Sequence, residues 1–237
     1  MDTLNVCALG PTTYRDGLRL QEGLVRARAE GRTGDWLLFP DHPPVLTVGR
    51  GAAPGGLVAD PGTLVARGIE IFEVARGGDI TWHGPGQLVG YAICDLGRHD
   101  RDLHRFLRAL EGAVGDVLAG YGIQSRTVPG RTGVWVGEQK IASLGIAVRR
   151  WVSYHGFALN VTPDLSFFDL IHPCGLRGVR MTSIAERLGD RAPALAAVRE
   201  RAAAAVARRL GHEGVRWAGV AEAEAAAREA ETANAVR

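Results

Sequence analysis

Lysine is almost absent from this 237-residue chain: among its 28 basic residues, Lys140 is the sole lysine and every other one is arginine. Arginine is therefore the default cation, and an ordinary surface charge at position 140 would be expected to be arginine too. A lysine ammonium differs from a guanidinium because burial or a charged neighbour can bring its pKa towards neutrality. Lys140 is thus either a residue that escaped a compositional bias or an amine that must exchange a proton.

Cysteine is also scarce, and its three copies, Cys7, Cys94 and Cys174, are widely separated without a CxxC spacing. This pattern excludes a disulfide framework and a zinc ribbon, and it predicts a reducing, cytoplasmic environment. The sequence has no apolar run of the roughly 18 residues that a transmembrane helix needs, and no secretory signal is recognisable. A net charge of only +2 gives no electrostatic reason to expect nucleic acid or an anionic membrane as a partner.

The length and the 46% hydrophobic content are those of one globular domain with a sizeable core. Thr13 or Asp16 is placed to cap an early helix that ends near Gly31, and apolar spacing predicts a second helix from Arg101 to Gly120. The remaining predictions are strands at 36–39, 45–48, 69–75, 87–95 and 133–136, a turn at 137–139 and a run of antiparallel strands over 140–161. A loop-like stretch at 162–180 and helices thereafter complete the chain. This order indicates an α+β domain.

Glycine is concentrated in the segment RGGDITWHGPGQ (76–87), which we interpret as a loop. Because glycine has no Cβ, the backbone of such a loop can approach a ligand and offer its amides to a carbonyl or a phosphate. The spacing matches neither a dinucleotide-binding motif nor a P-loop. A plain connection between strands is the alternative, but Arg76 and His83 in the same segment favour ligand binding.

The segment EQKIASLG (138–145) contains the sole lysine beside several small residues. If 140–145 is a strand, alternate side chains face opposite sides, which places Lys140, Ala142 and Leu144 on one side. The small residues at 142, 143 and 145 then leave space beside the strand for something that packs closely.

Cys174 lies between proline and glycine in IHPCGL (171–176), a turn on which its sulfur would be accessible. Cys7 and Cys94 lie in apolar stretches and are typical of small core residues. Beside an amine such as Lys140, Cys174 is a candidate nucleophile, because a cation stabilises the thiolate.

The histidines of the chain suggest a different kind of site, one that binds a metal. His155, in HGFALN (155–160), fits a buried structural histidine as well as a functional one. A metal site formed by His83, His155, His172 and Cys174 is the competing hypothesis, but neither an HExxH motif nor a carboxylate cluster supports it.

With these residues in view, the chain resembles the lipoyl(octanoyl) transferases, which move an octanoyl group from acyl carrier protein to a lysine on a lipoyl domain. The resemblance extends from about Asp41 to Ser183 and depends on several segments that follow one another in the family's order. They are DHPPVLTVGR (41–50), RGGDITWHGPGQLVGY (76–91), the core of GVWVGEQKIASLGI (134–146), HGFALNV (155–161) and HPCGL (172–176).

The resemblance implies a fold similar to biotin and lipoate protein ligases, a single α+β domain with a mixed β-sheet flanked by helices. Residues 1–190 would form the catalytic acyltransferase domain, and 191–237 a helical extension of it whose end we expect to fray. The implied enzyme is cytoplasmic and needs no cofactor and no metal. Its donor would be octanoyl-acyl carrier protein, and its acceptors the lipoyl domains of 2-oxoacid dehydrogenase complexes and the glycine cleavage H protein.

The resemblance also implies roles for individual residues. Cys174 matches the nucleophile that takes the acyl chain as a thioester, and Lys140 matches the residue that lowers the pKa of that cysteine and relays protons. Trp82 replaces a tyrosine that is common in the family. The residues that match the segments lining the acyl pocket are Arg76, Gly77, Gly78, Asp79, Ile80, Thr81, Trp82, His83, Ser143, Leu144, Gly145, Gly156, Phe157 and Ala158.

Two rival functions remain at this point. An ATP-dependent ligase on the same fold would activate a free acid as its adenylate, and would need no acyl-accepting cysteine. A catalytically silent module that binds carrier or lipoyl domains is the other rival, although no catalytic residue of the family is missing from the sequence.

Overall fold

The computed structural model describes residues 3–52, 55–172 and 179–232, and its largest element is an eight-stranded sheet. In chain order the strands are β1 (Leu4–Pro11), β2 (Trp36–Asp41), β3 (Val45–Val48), β4 (Glu70–Glu73), β5 (Ile80–His83), β6 (Gln87–Ile93), β7 (Arg126–Val128), β8 (Arg131–Val136), β9 (Gln139–Arg149), β10 (Val152–Asn160) and β11 (Val215–Trp217).

Helices alternate with these strands along the chain. They are α1 (Tyr14–Ala29), α2 (Pro61–Ala66), α3 (Leu103–Ala119), α4 (Ile184–Leu188), α5 (Leu195–Arg209) and α6 (Val220–Thr232), with short 3-10 helices at Leu96–His99, Leu165–Leu170 and Gly189–Arg191. Thr13, one of the two predicted caps, begins α1: its side-chain oxygen accepts the Asp16 N–H at 3.1 Å.

The main sheet has the order β11-β1-β2-β6-β10-β9-β8-β7, and a second sheet has the order β4-β3-β5. Pairing is parallel between β11, β1 and β2 and antiparallel from β2 to β7, so the main sheet is mixed. One core lies between this sheet and helices α3 and α5, and a second core lies beneath α1 and α6. The predicted α+β class, with a mixed sheet flanked by helices, is confirmed.

The predicted helices and most of the predicted strands are present, but helix α2 and strands β1, β5, β7 and β11 were not anticipated. The segment Ile80–His83 was interpreted as part of a loop; it is strand β5, buried throughout and antiparallel to β3. Strands β1 and β11 pair with each other in parallel, although their sequences are far apart in the chain. Such long-range pairing leaves no local periodicity from which it could be predicted.

The predicted strand over 140–145 is present, but the prediction that Lys140 and Ala142 lie on the same side of it is wrong. The pairing between β8 and β9 shifts register there, from Val134 opposite Ala142 to Trp135 opposite Lys140. The consecutive residues Ile141 and Ala142 therefore pack into the same core. Such an irregularity interrupts the alternation of side chains, and Lys140 consequently leaves the face of Ala142.

Among the described residues, no helix combines the length and the apolar character that crossing a membrane requires.

Candidate active site

A cavity of about 290 Å³ is lined by strands β5, β9 and β10 and by the loops before β5 and β8. Its wall includes the predicted residues Lys140, Arg76, Gly78, Asp79, Ile80, Thr81, His83, Ser143, Leu144, Gly145, Gly156, Phe157 and Ala158. These come from three sequence segments, and the antiparallel pairing of β9 with β10 brings two of them side by side, with Gly156 opposite Gly145. Most of the predicted site residues thus line one cavity.

Three predicted residues are placed differently. Gly77 is absent from the lining, and its N–H donates to Ile146 O at 2.9 Å. Trp82 points away into a separate core, where its ring stacks on Phe167 with centroids 4.9 Å apart. Cys174 lies outside the described residues.

Lys140 is 2% exposed and lies in the cavity wall together with Ser143 and Gly145. Its Nζ is 5.7 Å from the centroid of the Trp135 ring, a distance typical of a cation–π contact. The sole lysine of the chain is therefore a buried amine and not a surface charge.

The backbone of Lys140 is held by the chain that follows the undescribed stretch 173–178. Its N–H donates to Arg180 O, and its carbonyl accepts the Thr182 N–H, each at 2.9 Å. Residues 180–182 thus lie alongside Lys140, although about forty positions separate them in the sequence.

A series of buried polar side chains connects His83 to the chain that pairs with Lys140. His83 Nδ1 donates to Gln87 Oε1 at 2.8 Å, and Gln87 Nε2 donates to Asn160 Oδ1 at 3.0 Å. Asn160 Nδ2 in turn donates to the carbonyl of Thr182 at 3.0 Å, the residue whose N–H bonds to Lys140. Each buried polar group in this series is satisfied by the next, which fixes the relative positions of β6, β10 and β9.

The glycine-rich segment 76–79 is clamped against β9. Arg76 Nη1 donates to Asp79 O at 2.7 Å, and Arg76 Nη2 donates to Thr47 O and Oγ1 at 2.8 Å each. A Cβ at Gly145 would lie 2.7 Å from Gly77 O. The small residues predicted that something packs closely beside this strand. At Gly145, the group that packs closely is the backbone of Gly77.

Two histidines in the cavity wall are uncharged at neutral pH. Burial, together with His42 nearby, lowers the pKa of His83 to about 3. Burial, together with the positive charge of Arg76, lowers the pKa of His155 to about 3 as well. Burial raises the pKa of Tyr14, a neighbour in the same wall, to about 12. This part of the cavity consists of neutral aromatic groups.

His155 is held in an unusual conformation at the centre of β10. Its φ is +60°, a left-handed value that costs a non-glycine residue about 1–3 kcal/mol. Its N–H donates to the buried Gln21 Oε1 at 2.8 Å, while its Nε2 has no hydrogen-bond partner within the described part of the chain. An unsatisfied imidazole nitrogen in a cavity wall is suited to a polar atom of a bound ligand.

We expect His155→Asn to weaken the dependence of stability on pH. An unfolded histidine has a pKa near 6.5, so between that pH and about 3 His155 gains a proton when the protein unfolds. Its contribution to the free energy of unfolding is therefore complete above about pH 6.5 and is lost as the pH falls towards 3. Between pH 6 and 4 the wild-type free energy of unfolding should fall more steeply than that of the variant, by up to about 1.4 kcal/mol per pH unit. Urea unfolding across this range measures the difference.

The control for this experiment is His104→Asn, which replaces an exposed histidine on α3. Asparagine tolerates the left-handed conformation at position 155, so that the variant keeps the backbone geometry. Equal slopes for wild type and His155→Asn would contradict the prediction.

Several residues of the cavity wall were not predicted from the sequence. Tyr91 ends a segment that was recognised, and His155 was noted but not assigned to the site. Tyr14 comes from α1 and had no local signal, whereas Trp135 of β8 lies in the recognised segment 134–146 but was not assigned to the site. The unpredicted residues are Tyr14, Gly51, Tyr91, Gly130, Arg131, Thr132, Trp135 and His155.

The competing metal hypothesis has no support in the geometry of the described residues, where no three His, Cys, Asp or Glu side chains converge. Cys174, one member of that proposed set, lies outside those residues.

Comparison with known proteins places the chain near enzymes of lipoylation. The model of the lipoyl protein ligase A/B catalytic domain matches residues 13–207. An octanoyltransferase of Geobacter metallireducens is 48% identical over 185 residues, which cover 78% of this chain and 84% of that relative.

Solved structures show the same fold at low sequence identity. A lipoate-protein ligase A bound with ATP has a TM-score of 0.75 and 20% identity, covering 97% of this chain and 94% of its own. A biotin protein ligase from Aquifex aeolicus, in complex with biotin and ATP, has a TM-score of 0.51 and 12% identity, covering 89% of this chain and 71% of its own. The predicted likeness to biotin and lipoate protein ligases is confirmed for the fold.

Proposed function

Since the chain belongs to the lipoyl protein ligase A/B catalytic domain family, we propose that its cavity binds an octanoyl chain and that Cys174 and Lys140 transfer it. The chain is an acyltransferase that transfers an octanoyl group in protein lipoylation, the activity for which its relatives are named. The roles of individual residues and the identity of the partners are the proposal. Its main support is Lys140, the sole lysine, buried in the wall of the cavity.

The donor we propose is octanoyl-acyl carrier protein. The Cys174 thiolate attacks the carbonyl carbon of the donor thioester, a new C–S bond forms, and the bond to the donor sulfur breaks. The positive charge of Lys140 stabilises this thiolate, whose proton is released to solvent, and the departing donor thiolate takes up a proton from solvent. Exchange of one thioester for another is nearly isoenergetic, so this step requires no ATP.

In the second step the amine of an acceptor lysine attacks the acyl-enzyme. The amide C–N bond forms as the C–S bond to Cys174 breaks, and the proton lost by the amine passes through Lys140 to the cysteine. Amide formation from a thioester is downhill, which drives the transfer. His83 is a poor alternative base, because burial lowers its pKa to about 3.

The position of Lys140 supports its pairing with Cys174. The described chain resumes at Val179, and Arg180 is hydrogen-bonded to the Lys140 N–H at 2.9 Å. Cys174 is six positions from Arg180, a contour of at most about 20 Å. The lysine is thus within reach of the segment that contains the cysteine.

Each transfer step develops negative charge on the carbonyl oxygen, which requires hydrogen-bond donors. Backbone amides near 77–78 and at 145 are the candidates. The Gly77 N–H is already donated to Ile146 O, so we propose that Gly78 or Gly145, both in the cavity wall, supplies a donor.

The octanoyl tail would lie along the apolar part of the wall. Ile80, Leu144, Phe157 and Ala158 line the cavity and belong to three different strands. Each buried methylene contributes roughly 0.8 kcal/mol, which is sufficient to select for a bound alkyl chain.

The proposed acceptors are the lipoyl domains of 2-oxoacid dehydrogenase complexes and the glycine cleavage H protein. The proposed compartment is the cytoplasm, in keeping with two free thiols in the core, Cys7 and Cys94.

An ATP-dependent ligase is the rival, because a lipoate-protein ligase shares the fold. The test is incubation with octanoyl-acyl carrier protein and an unmodified lipoyl domain in the absence of nucleotide. We expect the lipoyl domain to gain the mass of one octanoyl group, and a domain whose acceptor lysine is replaced by methionine to gain none. Modification that occurs only with free octanoate and ATP would overturn the proposal in favour of the ligase.

A further inference from the structure

Glu111 is a carboxylate buried on the apolar face of α3. It is 1% exposed and is surrounded along the helix by buried residues such as Leu110 and Val114. Burial of a carboxylate is costly unless it is paired and hydrogen-bonded, so its presence in this core requires a reason.

The two oxygens of Glu111 have separate partners. Oε1 accepts the backbone N–H of Gly133 in β8 at 2.8 Å, whereas Oε2 forms an ion pair with Arg108, one turn earlier in α3. The Gly133 bond is a charge-assisted hydrogen bond between side chain and backbone, and such bonds are roughly twice as strong as neutral ones. It ties the strand that faces Lys140 to the helix behind it.

The Lys140 side chain lies directly against the backbone of Gly133. A Cβ at position 133 would overlap Lys140 Cε and would lie 2.7 Å from Ala142 O. The φ of Gly133 is +135°, a value that L-residues rarely adopt. The next two residues, Val134 and Trp135, are those at which β8 shifts register against β9.

From this geometry we infer that Glu111 and Gly133 are positioning residues for Lys140. Glu111 fixes the Gly133 backbone at the register shift, and the missing Cβ of Gly133 leaves the space in which the Lys140 side chain runs towards the cavity. The consequence for catalysis rests on the proposed role of Lys140 in octanoyl transfer, whereas the structural part does not.

The sole lysine makes the structural part directly measurable. In protein grown with ¹³Cε-labelled lysine, the side chain of Lys140 gives a single resonance, displaced by the ring current of Trp135. We expect Glu111→Ala and Gly133→Ala to shift this resonance. Glu111→Gln keeps an oxygen that can accept the Gly133 N–H, so the Lys140 resonance of this variant should stay near its wild-type position.

Kinetics supply the second readout. We expect Glu111→Ala and Gly133→Ala to lower kcat for octanoyl transfer by about 10²-fold, the loss typical of a misplaced catalytic group, with less than about a twofold change in KM for the donor. Glu111→Gln should recover most of the loss.

The matched control is Asp116→Ala, which removes another carboxylate of α3, one that pairs with Arg208 and Arg209 away from the cavity. It should lower stability without moving the resonance or kcat. If Glu111→Ala also leaves the Lys140 resonance and kcat unchanged, the inference is wrong. Should Gly133→Ala not fold, the two Glu111 variants decide.

Failure of the proposed function gives a different result. If Lys140→Met keeps wild-type turnover, the catalytic role of Lys140 is lost, while the resonance of the Glu111 variants still reports whether Glu111 positions the lysine.

Discussion

Replacing Lys140 with arginine should lower the rate of octanoyl transfer to a lipoyl domain by about 10²–10⁴-fold, the range typical of losing a general acid–base. A guanidinium keeps the positive charge but does not release a proton near neutral pH. Steady-state transfer, followed by mass spectrometry of the lipoyl domain, measures the change.

The two half-reactions should respond differently in Lys140→Arg. Because the positive charge is retained, we expect the thiolate and the acyl-enzyme still to form, and aminolysis by the acceptor lysine to collapse. Lys140→Met, which removes the charge, should impair both steps. Turnover of Lys140→Arg at the wild-type rate would exclude proton relay by this residue.

Replacing Cys174 with alanine should abolish transfer, with a loss of about 10⁴-fold or more, because removal of a nucleophile eliminates the covalent route. Incubation of the wild-type protein with octanoyl-acyl carrier protein alone should add the mass of one octanoyl group to it. In Cys174→Ala this addition should disappear.

Cys7→Ala is the matched control, since it removes a thiol that burial makes unreactive. Burial, with the negative charge of Glu222 adding to it, raises the pKa of Cys7 to about 11. Burial likewise raises the pKa of Cys94 well above its ordinary value. Cys7→Ala should therefore keep the acyl addition and the turnover. An octanoyl group that remains on Cys174→Ala would show that the nucleophile is another residue.

The segments with recognisable local chemistry were predicted well. Thr13 caps α1, the spacing of apolar residues located α3, and the segment 76–83 with its histidine and arginine does line the cavity for the most part. These features depend on neighbours in the sequence: a cap needs the next three residues, and a helix face needs its own periodicity.

Other features depend on contacts between distant segments, and these were missed. Strand β11 exists because β1 offers it a parallel edge, and Tyr14 reaches the cavity because α1 packs over the sheet. The loop prediction for Ile80–His83 was wrong because the glycines around it concealed a four-residue strand whose partner, β3, lies more than thirty positions earlier.

Composition and motif spacing are properties of the chain, and they were sufficient to predict the family, the α+β class and the unusual status of Lys140 as the sole lysine. The position of Lys140 in the cavity wall follows from contacts between distant segments. The register shift beside Trp135 takes the lysine off the face of Ala142, and the absent side chain of Gly133 leaves space for it. The buried carboxylate of Glu111 holds that glycine in place. Register and burial arise from pairing between segments, so a lysine that composition marks as exceptional becomes a cavity amine only when β8, β9 and α3 are packed together.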